Sequence, residues 1–137
     1  MEKFFKTSVA IAGAILTYLF GGWSALMGIL LTFVAIDYIT GFVAAGFNGE
    51  LSSNIGLRGI AKKIFIFVIV AIGHLADKAI GLKDVIMYAA IYFYVANEAL
   101  SIIENVGRIG LPVPEAIKKG IAILQKKSES KEADTNG

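Results

Sequence analysis

The sequence predicts an all-α integral membrane protein with four transmembrane helices, arranged as two helical hairpins, and a C-terminal amphipathic surface helix. Hydrophobic residues make up 56% of the 137-residue chain and charged residues 18%, and the mean hydropathy is +0.70, outside the usual range of soluble domains. Residues Thr7 to Ile36 contain no charge, which is long enough to cross a hydrocarbon core of about 30 Å. Basic residues lie between and after the apolar segments, as expected at a membrane surface and not in a nucleic-acid groove.

The first long apolar run is predicted to form two helices joined by a tight turn. Gly21 and Gly22 are followed by Trp23 and Ser24, a turn signal beside a side chain that prefers the membrane interface. We therefore place helix one at about residues 6 to 21 and helix two at about residues 24 to 47. Residues 48 to 63 are predicted to form a polar connection to the second hairpin.

Two further apolar segments predict the second hairpin. Helix three is placed at about residues 64 to 80 and helix four at about residues 85 to 103, after which two prolines and two glycines end any regular crossing. Residues 1 to 114 are expected to form a single transmembrane domain. Residues 115 to 127 are predicted to be an amphipathic cytoplasmic helix on the membrane surface, and residues 128 to 137 a disordered tail.

The distribution of lysine and arginine predicts that both termini are cytoplasmic. The N-terminus, the middle connection and the C-terminal segment hold most of the basic residues, so the positive-inside rule assigns all three to the cytoplasmic side of the membrane. The basic residues predicted at the membrane surface are Arg58, Lys62, Lys63, Lys118, Lys119, Lys126 and Lys127. The lysines of the tail are either a topology signal alone or a lipid-binding surface.

Two carboxylates are predicted to lie deep in the membrane. Asp37 and Glu98 each lie 13 residues after the proposed outer start of their helix, which gives both a depth of about 20 Å at about 1.5 Å per residue. An acidic side chain near the bilayer centre costs about 2.5 to 3.5 kcal/mol, so each needs a polar partner, a proton or water. Either they form buried hydrogen bonds that fix helix packing in one subunit, or they face an opening or a wetted surface.

Small and polar side chains lie near both carboxylates at helical spacing, which suits close approach of another helix. His74 is expected to be a packing histidine, because a metal site needs more ligands than lie nearby. Ile91, Phe93 and Ile102 of helix four are expected to meet lipid. The candidate pore or oligomer-interface residues are Asp37, Thr40, Gly41, Ala44, His74, Asp77, Tyr94, Asn97, Glu98, Ser101 and Asn105.

Two other function classes remain open at this point. A small four-helix proton-coupled exporter would also have a membrane carboxylate, although helix one here has none and an exporter would not need the amphipathic tail. An intramembrane enzyme using Asp37, His74 and Glu98 as acid and base groups lacks a nucleophile motif or a phosphate-binding loop. The chain has no cysteine, which excludes disulfides and thiolate metal sites. We predict no enzymatic activity, no cofactor and no metal.

With these motifs in place, the chain resembles the toxin-secretion and phage-lysis holin family from Gly21 to about Gln125. Ser24 departs from the pattern, since many members have an aspartate there. The motifs that carry the resemblance are IDYITG at 36–41, LSS at 51–53 followed by Gly56, Gly59, Lys62 and Lys63, His74 with Asp77, ANE at 96–98 continuing through Ser101 to Glu104 and Asn105, and GLPVP at 110–114.

The resemblance implies a protein that accumulates in the bacterial inner membrane, assembles into a homo-oligomer among the membrane lipids and then forms lesions. The released cargo would be an endolysin or a secreted toxin, and either an antiholin partner or an antiholin role for this chain remains open. A membrane field acts on a charge at about 2.3 kcal/mol per 100 mV. Loss of membrane potential is therefore a candidate trigger that acts through Asp37 and Glu98.

Overall fold

The computed structural model describes residues 1–136 and is helical through most of that range. The elements are α1 (Glu2–Phe20), α2 (Ala25–Phe47), α3 (Ser53–Ile80), α4 (Val85–Ile109) and α5 (Glu115–Asn136). Short connections join them, and the described residues contain no strand. The predicted all-α class is confirmed.

The turn between α1 and α2 lies where the glycine pair predicted it. Gly21 ends α1 in the left-handed region, with φ 73°, and its N–H donates to the carbonyl oxygen of Thr17, a conformation that favours glycine. The hydroxyl of Ser24 accepts a hydrogen bond from the N–H of Met27 and so caps α2. The two bounds of α2 are within one residue of the prediction.

The predicted polar connection at residues 48 to 63 is wrong for most of its length, because α3 begins at Ser53. Ser52 caps this helix by accepting a hydrogen bond from the N–H of Ile55. A Cβ at Gly56 would lie 3.5 Å from Tyr38 Oη, and one at Gly59 would lie 3.7 Å from Tyr38 Cε2. These glycines permit close contact between α2 and α3 and do not form a turn.

Both C-terminal helices are longer than predicted. α4 passes residue 103 and ends at Ile109, before Gly110 with φ 94°. α5 continues to Asn136, so the segment predicted as a disordered tail is helical over 128–136, and Gly137 lies outside the described residues. Glu129, Lys131, Glu132 and Ala133 of this segment favour helix. α5 also turns back and packs along α4, whereas a separate surface helix was predicted.

α4 is the centre of the fold and packs against α2, α3 and α5. α1 packs against α3 and not against α2, so the first predicted hairpin is not a packed pair, and α1 has no buried residue. Ile91, expected at the lipid, is fully buried because neighbours surround α4. The core cluster contains Met27, Leu30, Val34, Ile66, Val70, Met87, Ile91 and Val95.

Among the described helices, α1, α2 and α4 are long and apolar enough to cross a membrane. α3 is not one of these three. Its apolar stretch from Ile64 to Ala76 is bounded by Lys63 and Asp77. That stretch spans about 20 Å at about 1.5 Å per residue. The fourth crossing therefore stays a prediction.

Candidate functional site

A buried ionic cluster, formed by Asp37, Lys63 and Glu98, joins α2, α3 and α4. The ammonium of Lys63 donates to Asp37 Oδ2 at 2.5 Å and to Glu98 Oε2 at 2.9 Å. The side chains of Asp37 and Glu98 are only 7% and 8% exposed, and that of Lys63 is 17% exposed. One cation thus bridges two carboxylates from different helices.

The ionic cluster provides the polar partners that the membrane carboxylates need. Taking an ion out of water costs several kcal/mol, and only short, well-directed contacts offset that cost. Two carboxylates and one ammonium, when all are ionised, leave one surplus negative charge. The arrangement therefore depends on further hydrogen-bond donors close to the carboxylates.

Asn105 of α4 supplies such a donor to the α2 carboxylate. Its Nδ2 lies 2.8 Å from Asp37 Oδ1, 3.1 Å from the Asp37 carbonyl oxygen and 3.0 Å from Thr40 Oγ1. A Cβ at Gly41 would lie 3.4 Å from the same Nδ2, so the small residue leaves room for the amide. The small and polar stripe of α2 therefore packs against α4 of its own chain.

A cavity of about 290 Å³ opens beside the ionic cluster. Its lining includes Lys63, Ser101, Asn105 and residues 50–52 of the connection between α2 and α3. At this end of the bundle Arg108 Nη2 donates to Glu50 Oε2 at 2.8 Å, and both side chains are substantially exposed. The cavity has room for several water molecules next to the buried charges.

At the opposite end of the bundle, Asp77 of α3 caps the start of α4. Its two carboxylate oxygens accept hydrogen bonds from the N–H groups of Ile86 and Met87, each at 2.9 Å. Asp84, the residue before α4, has φ 58° and makes no side-chain capping bond. Asp77 thus satisfies two N–H groups that lack partners within the helix, and its negative charge suits the positive end of the helix dipole.

His74 lies close to Asp77 and ties together three parts of the chain. Its Nδ1 lies 3.3 Å from Asp84 Oδ1. A Cβ at Gly21 would lie 2.8 Å from His74 Cε1, so the ring lies directly against the turn between α1 and α2. Its Nε2 is buried and has no hydrogen-bond partner within residues 1–136. The geometry is that of a histidine that packs α3 against this turn.

Most of the predicted interface residues turn toward the interior of a single subunit, while Asn97 is exposed. This distribution favours the packing interpretation of Asp37 and Glu98 in the conformation described. The buried members are Asp37, Ala44, His74, Asp77, Glu98 and Asn105, and the half-buried members are Thr40, Gly41, Tyr94 and Ser101.

Lys63 was predicted at the membrane surface, and this assignment is wrong because α3 begins ten residues earlier and turns the side chain inward. A signal was present in the sequence: Lys63 is followed by Ile66, Val70 and Asp77 at spacings of one helical face. The other basic residues predicted at the surface are exposed, namely Arg58, Lys62, Lys118, Lys119, Lys126 and Lys127.

Comparison with known proteins gives a family and named relatives. The model of the bacteriophage holin family matches residues 14–126. An uncharacterized protein of Halalkalibacterium halodurans is 49% identical over 136 residues, with 96% of this chain and 100% of that protein covered. An uncharacterized protein of Listeria innocua is 45% identical over 132 residues, with 96% and 94% covered.

A third relative has a functional name. It is a protein of Bacillus phage phi105 named "Probable holin", 33% identical over 114 residues, with 83% of this chain and 84% of that protein covered. No solved structure matches the chain. Because the family model spans most of the sequence, including all residues of the ionic cluster, the chain belongs to the bacteriophage holin family.

Proposed function

We propose that this membrane protein is a holin that oligomerises in the bacterial inner membrane and forms lesions or pores that release an endolysin or a secreted toxin. Membership of the bacteriophage holin family supports the role, and so does the similarity to the phage phi105 protein. The cargo and any antiholin partner belong to the same proposal. The rival is a small four-helix proton-coupled exporter.

The observation that carries the proposal is the way that polar groups are distributed over the molecule. The ionic cluster is buried, while large apolar side chains are exposed on the outer faces of α1, α2 and α3. Such a surface is stable against lipid or against other copies of the chain, and not against water. The exposed apolar residues include Ile11, Ile15, Leu31, Ile39, Phe42, Ile64, Phe65, Ile69 and Ile72.

The proposed topology has four crossings, with α3 as the fourth and both termini in the cytoplasm. The apolar stretch of α3 is short, but neither of the residues that bound it needs to reach water. Lys63 is paired with the carboxylates of α2 and α4, and Asp77 caps α4. This pairing supports α3 as a membrane helix within the bundle. A reporter fused after Gly137 that is active only on the outer side would contradict the topology.

We propose that the lesion forms when the buried carboxylates exchange their partners within the subunit for water or for groups of other subunits. In the closed subunit Lys63 and Asn105 satisfy Asp37 and Glu98. In the lesion, other copies or water would contact these carboxylates and the polar stripes around them. Charges that move in the membrane field gain or lose about 2.3 kcal/mol per 100 mV, so loss of the membrane potential would shift the balance between the two states.

The test is controlled expression in bacteria, with membrane potential and release of a cytoplasmic enzyme recorded in the same culture. The expected result is an abrupt fall in potential together with enzyme release, at a time set by the amount of protein. The variant Lys63→Met should change this time, whereas Lys62→Met, at an exposed neighbouring position, should not. Gradual loss of a small cationic dye with the enzyme retained would overturn the holin proposal and favour the exporter.

A further inference from the structure

The ionic cluster of Asp37, Lys63 and Glu98 carries one negative charge too many when all three groups are ionised. Its two carboxylate side chains are only 7% and 8% exposed, so water does not screen the surplus charge. An unpaired charge at a buried site is strongly disfavoured, and such a group usually takes up a proton instead. The cluster is neutral when it holds one proton in addition to the charge of Lys63.

The charged and titratable groups around the cluster do not balance its surplus charge. Arg108 lies in the lining of the neighbouring cavity and is already paired with Glu50. The α5 residues that line a separate pocket against α4 include Glu129 and Glu132, which add negative charge. Tyrosine is uncharged near neutral pH, as for Tyr38 and Tyr94 of α2 and α4. The charged residues of α1 and the other basic residues of the first half of α3 are exposed, namely Glu2, Lys3, Lys6, Arg58 and Lys62.

The hydrogen bonds of the two carboxylates differ. Asp37 accepts from Lys63 Nζ on Oδ2 and from Asn105 Nδ2 on Oδ1, and the hydroxyl of Ser101 is a further donor. Glu98 accepts from Lys63, and its other hydrogen-bond partner within residues 1–136 is the carboxyl group of Asp37. Two ionised carboxylates have no donor to share. A proton on Glu98 supplies that donor.

The cavity of about 290 Å³ gives this proton a path to water. Asp37 and Lys63 belong to its lining, together with residues 50–52 and Arg108. In the proposed topology, the connection between α2 and α3 and the end of α4 lie on the cytoplasmic side. Glu98 is not part of the lining, so its proton reaches the cavity through Asp37. Exchange of the proton would therefore take place with the cytoplasm.

We infer that Asp37 and Glu98 form a proton-binding site, which holds one proton between the two carboxylates and exchanges it with the cytoplasm. Its effect on lesion formation rests on the proposed holin function. When the cytoplasmic pH rises and the proton leaves, one buried negative charge stays uncompensated. The closed subunit is then less stable, and the exchange of its internal partners for water or for groups of other subunits becomes easier.

The direct test is infrared spectroscopy of the full chain in detergent at about pH 7, where a carboxyl group in water, with a pKa of about 4, is ionised. The C=O stretch of a protonated carboxyl group should be present and should disappear at higher pH. Asp37→Asn and Glu98→Gln should each abolish it, because the remaining carboxylate then balances Lys63. Glu104→Gln, at an exposed position of α4, should keep it. A wild-type protein without this band, or a band that either of the first two variants retains, would overturn the inference.

A measurement on the wild-type protein covers the chance that a variant does not fold. The closed protein holds one proton more than an unfolded chain with both carboxylates ionised, so its stability should fall as pH rises through the release of that proton. The unfolding equilibrium constant in detergent should increase above neutral pH by up to tenfold per pH unit. An equilibrium constant that does not change with pH in this range would overturn the proton site.

The effect on lesion formation is tested in bacteria with a membrane-permeant weak base, which raises the cytoplasmic pH. Lesions should form earlier in cells that express the wild-type protein or Glu104→Gln, and the base should not change the time for Glu98→Gln. Equal times with and without the base in wild-type cells would overturn the regulatory role. If the infrared band is present but wild-type expression never releases a cytoplasmic enzyme, the proposed holin function fails and the proton site stands.

Discussion

Replacement of Lys63 by methionine tests whether the ionic cluster stabilises the bundle. Methionine keeps the length and the apolar stem of the side chain but removes the ammonium. Asp37 and Glu98 would then remain buried without the cation that lies 2.5 and 2.9 Å from them. The amide of Asn105 would still donate to Asp37, but the cation that both carboxylates share would be lost.

The expected loss follows from the burial of both carboxylates. Removal of one partner of a buried ion pair typically destabilises a protein by about 3 to 5 kcal/mol, because the other charge is left uncompensated. The free energy of unfolding of Lys63→Met should fall by that amount. A triple variant that adds Asp37→Asn and Glu98→Gln should recover most of the loss, since no uncompensated charge is left.

The assay is equilibrium unfolding in detergent micelles, followed by the helical circular dichroism signal. Lys62→Met is the matched control, because Lys62 is exposed one residue away, and it should change the free energy by about 0.5 kcal/mol at most. Equal stability of the Lys63→Met and Lys62→Met proteins would refute the reasoning. So would a triple variant less stable than Lys63→Met, because the loss would then not come from unpaired charge.

Three further substitutions test separate contacts, each by the same unfolding assay. Asp77→Ala removes the acceptor of two N–H groups at the start of α4 and should cost about 1 to 3 kcal/mol; an unchanged midpoint would contradict the capping role. Gly21→Ala places a methyl group 2.8 Å from the imidazole of His74, at a residue with φ +73°. The left-handed backbone alone should lower the free energy of unfolding by about 1 to 2 kcal/mol. The control Gly107→Ala adds a methyl group with nothing within 4 Å, and it should leave the free energy of unfolding unchanged or raise it. Asn105→Ala should lower the free energy of unfolding by about 1 kcal/mol, in the range measured for interhelical hydrogen bonds in membranes. The control Asn97→Ala, on the exposed side of α4, should lower it less. A larger loss for Asn97→Ala would show that the amide of Asn105 does not support Asp37.

Local signals in the sequence predicted the helical segments unevenly. The glycine pair and Ser24 fixed the start of α2, because a left-handed residue and a capping hydroxyl act within a few residues. Gly56 and Gly59 misled the prediction for α3. Glycine is used both in turns and where helices approach closely, and only the position of Tyr38 distinguishes the two uses here.

The candidate site was predicted in part. Asp37 and Glu98 need polar partners because burying a charge is costly. This conclusion requires only that the neighbouring residues in the sequence are apolar. Their partner was missed, because Lys63 lies 26 residues from Asp37 and 35 residues from Glu98 along the chain. A lysine beside the predicted end of a polar segment is typical of the membrane surface. The helical face that Lys63 shares with Ile66 and Val70 becomes visible only when α3 begins at Ser53 and not at residue 64.

The sequence by itself determined the helical class, the apolar character, the family and the presence of charges that lipid alone would not satisfy. Composition and short-range periodicity are sufficient for these properties, because each depends on neighbouring residues. Tertiary structure decided that Lys63 bridges two helices, that α1 packs on α3 and that α5 packs on α4. These contacts join residues far apart in the chain, and side-chain shape and charge select them only when the helices meet.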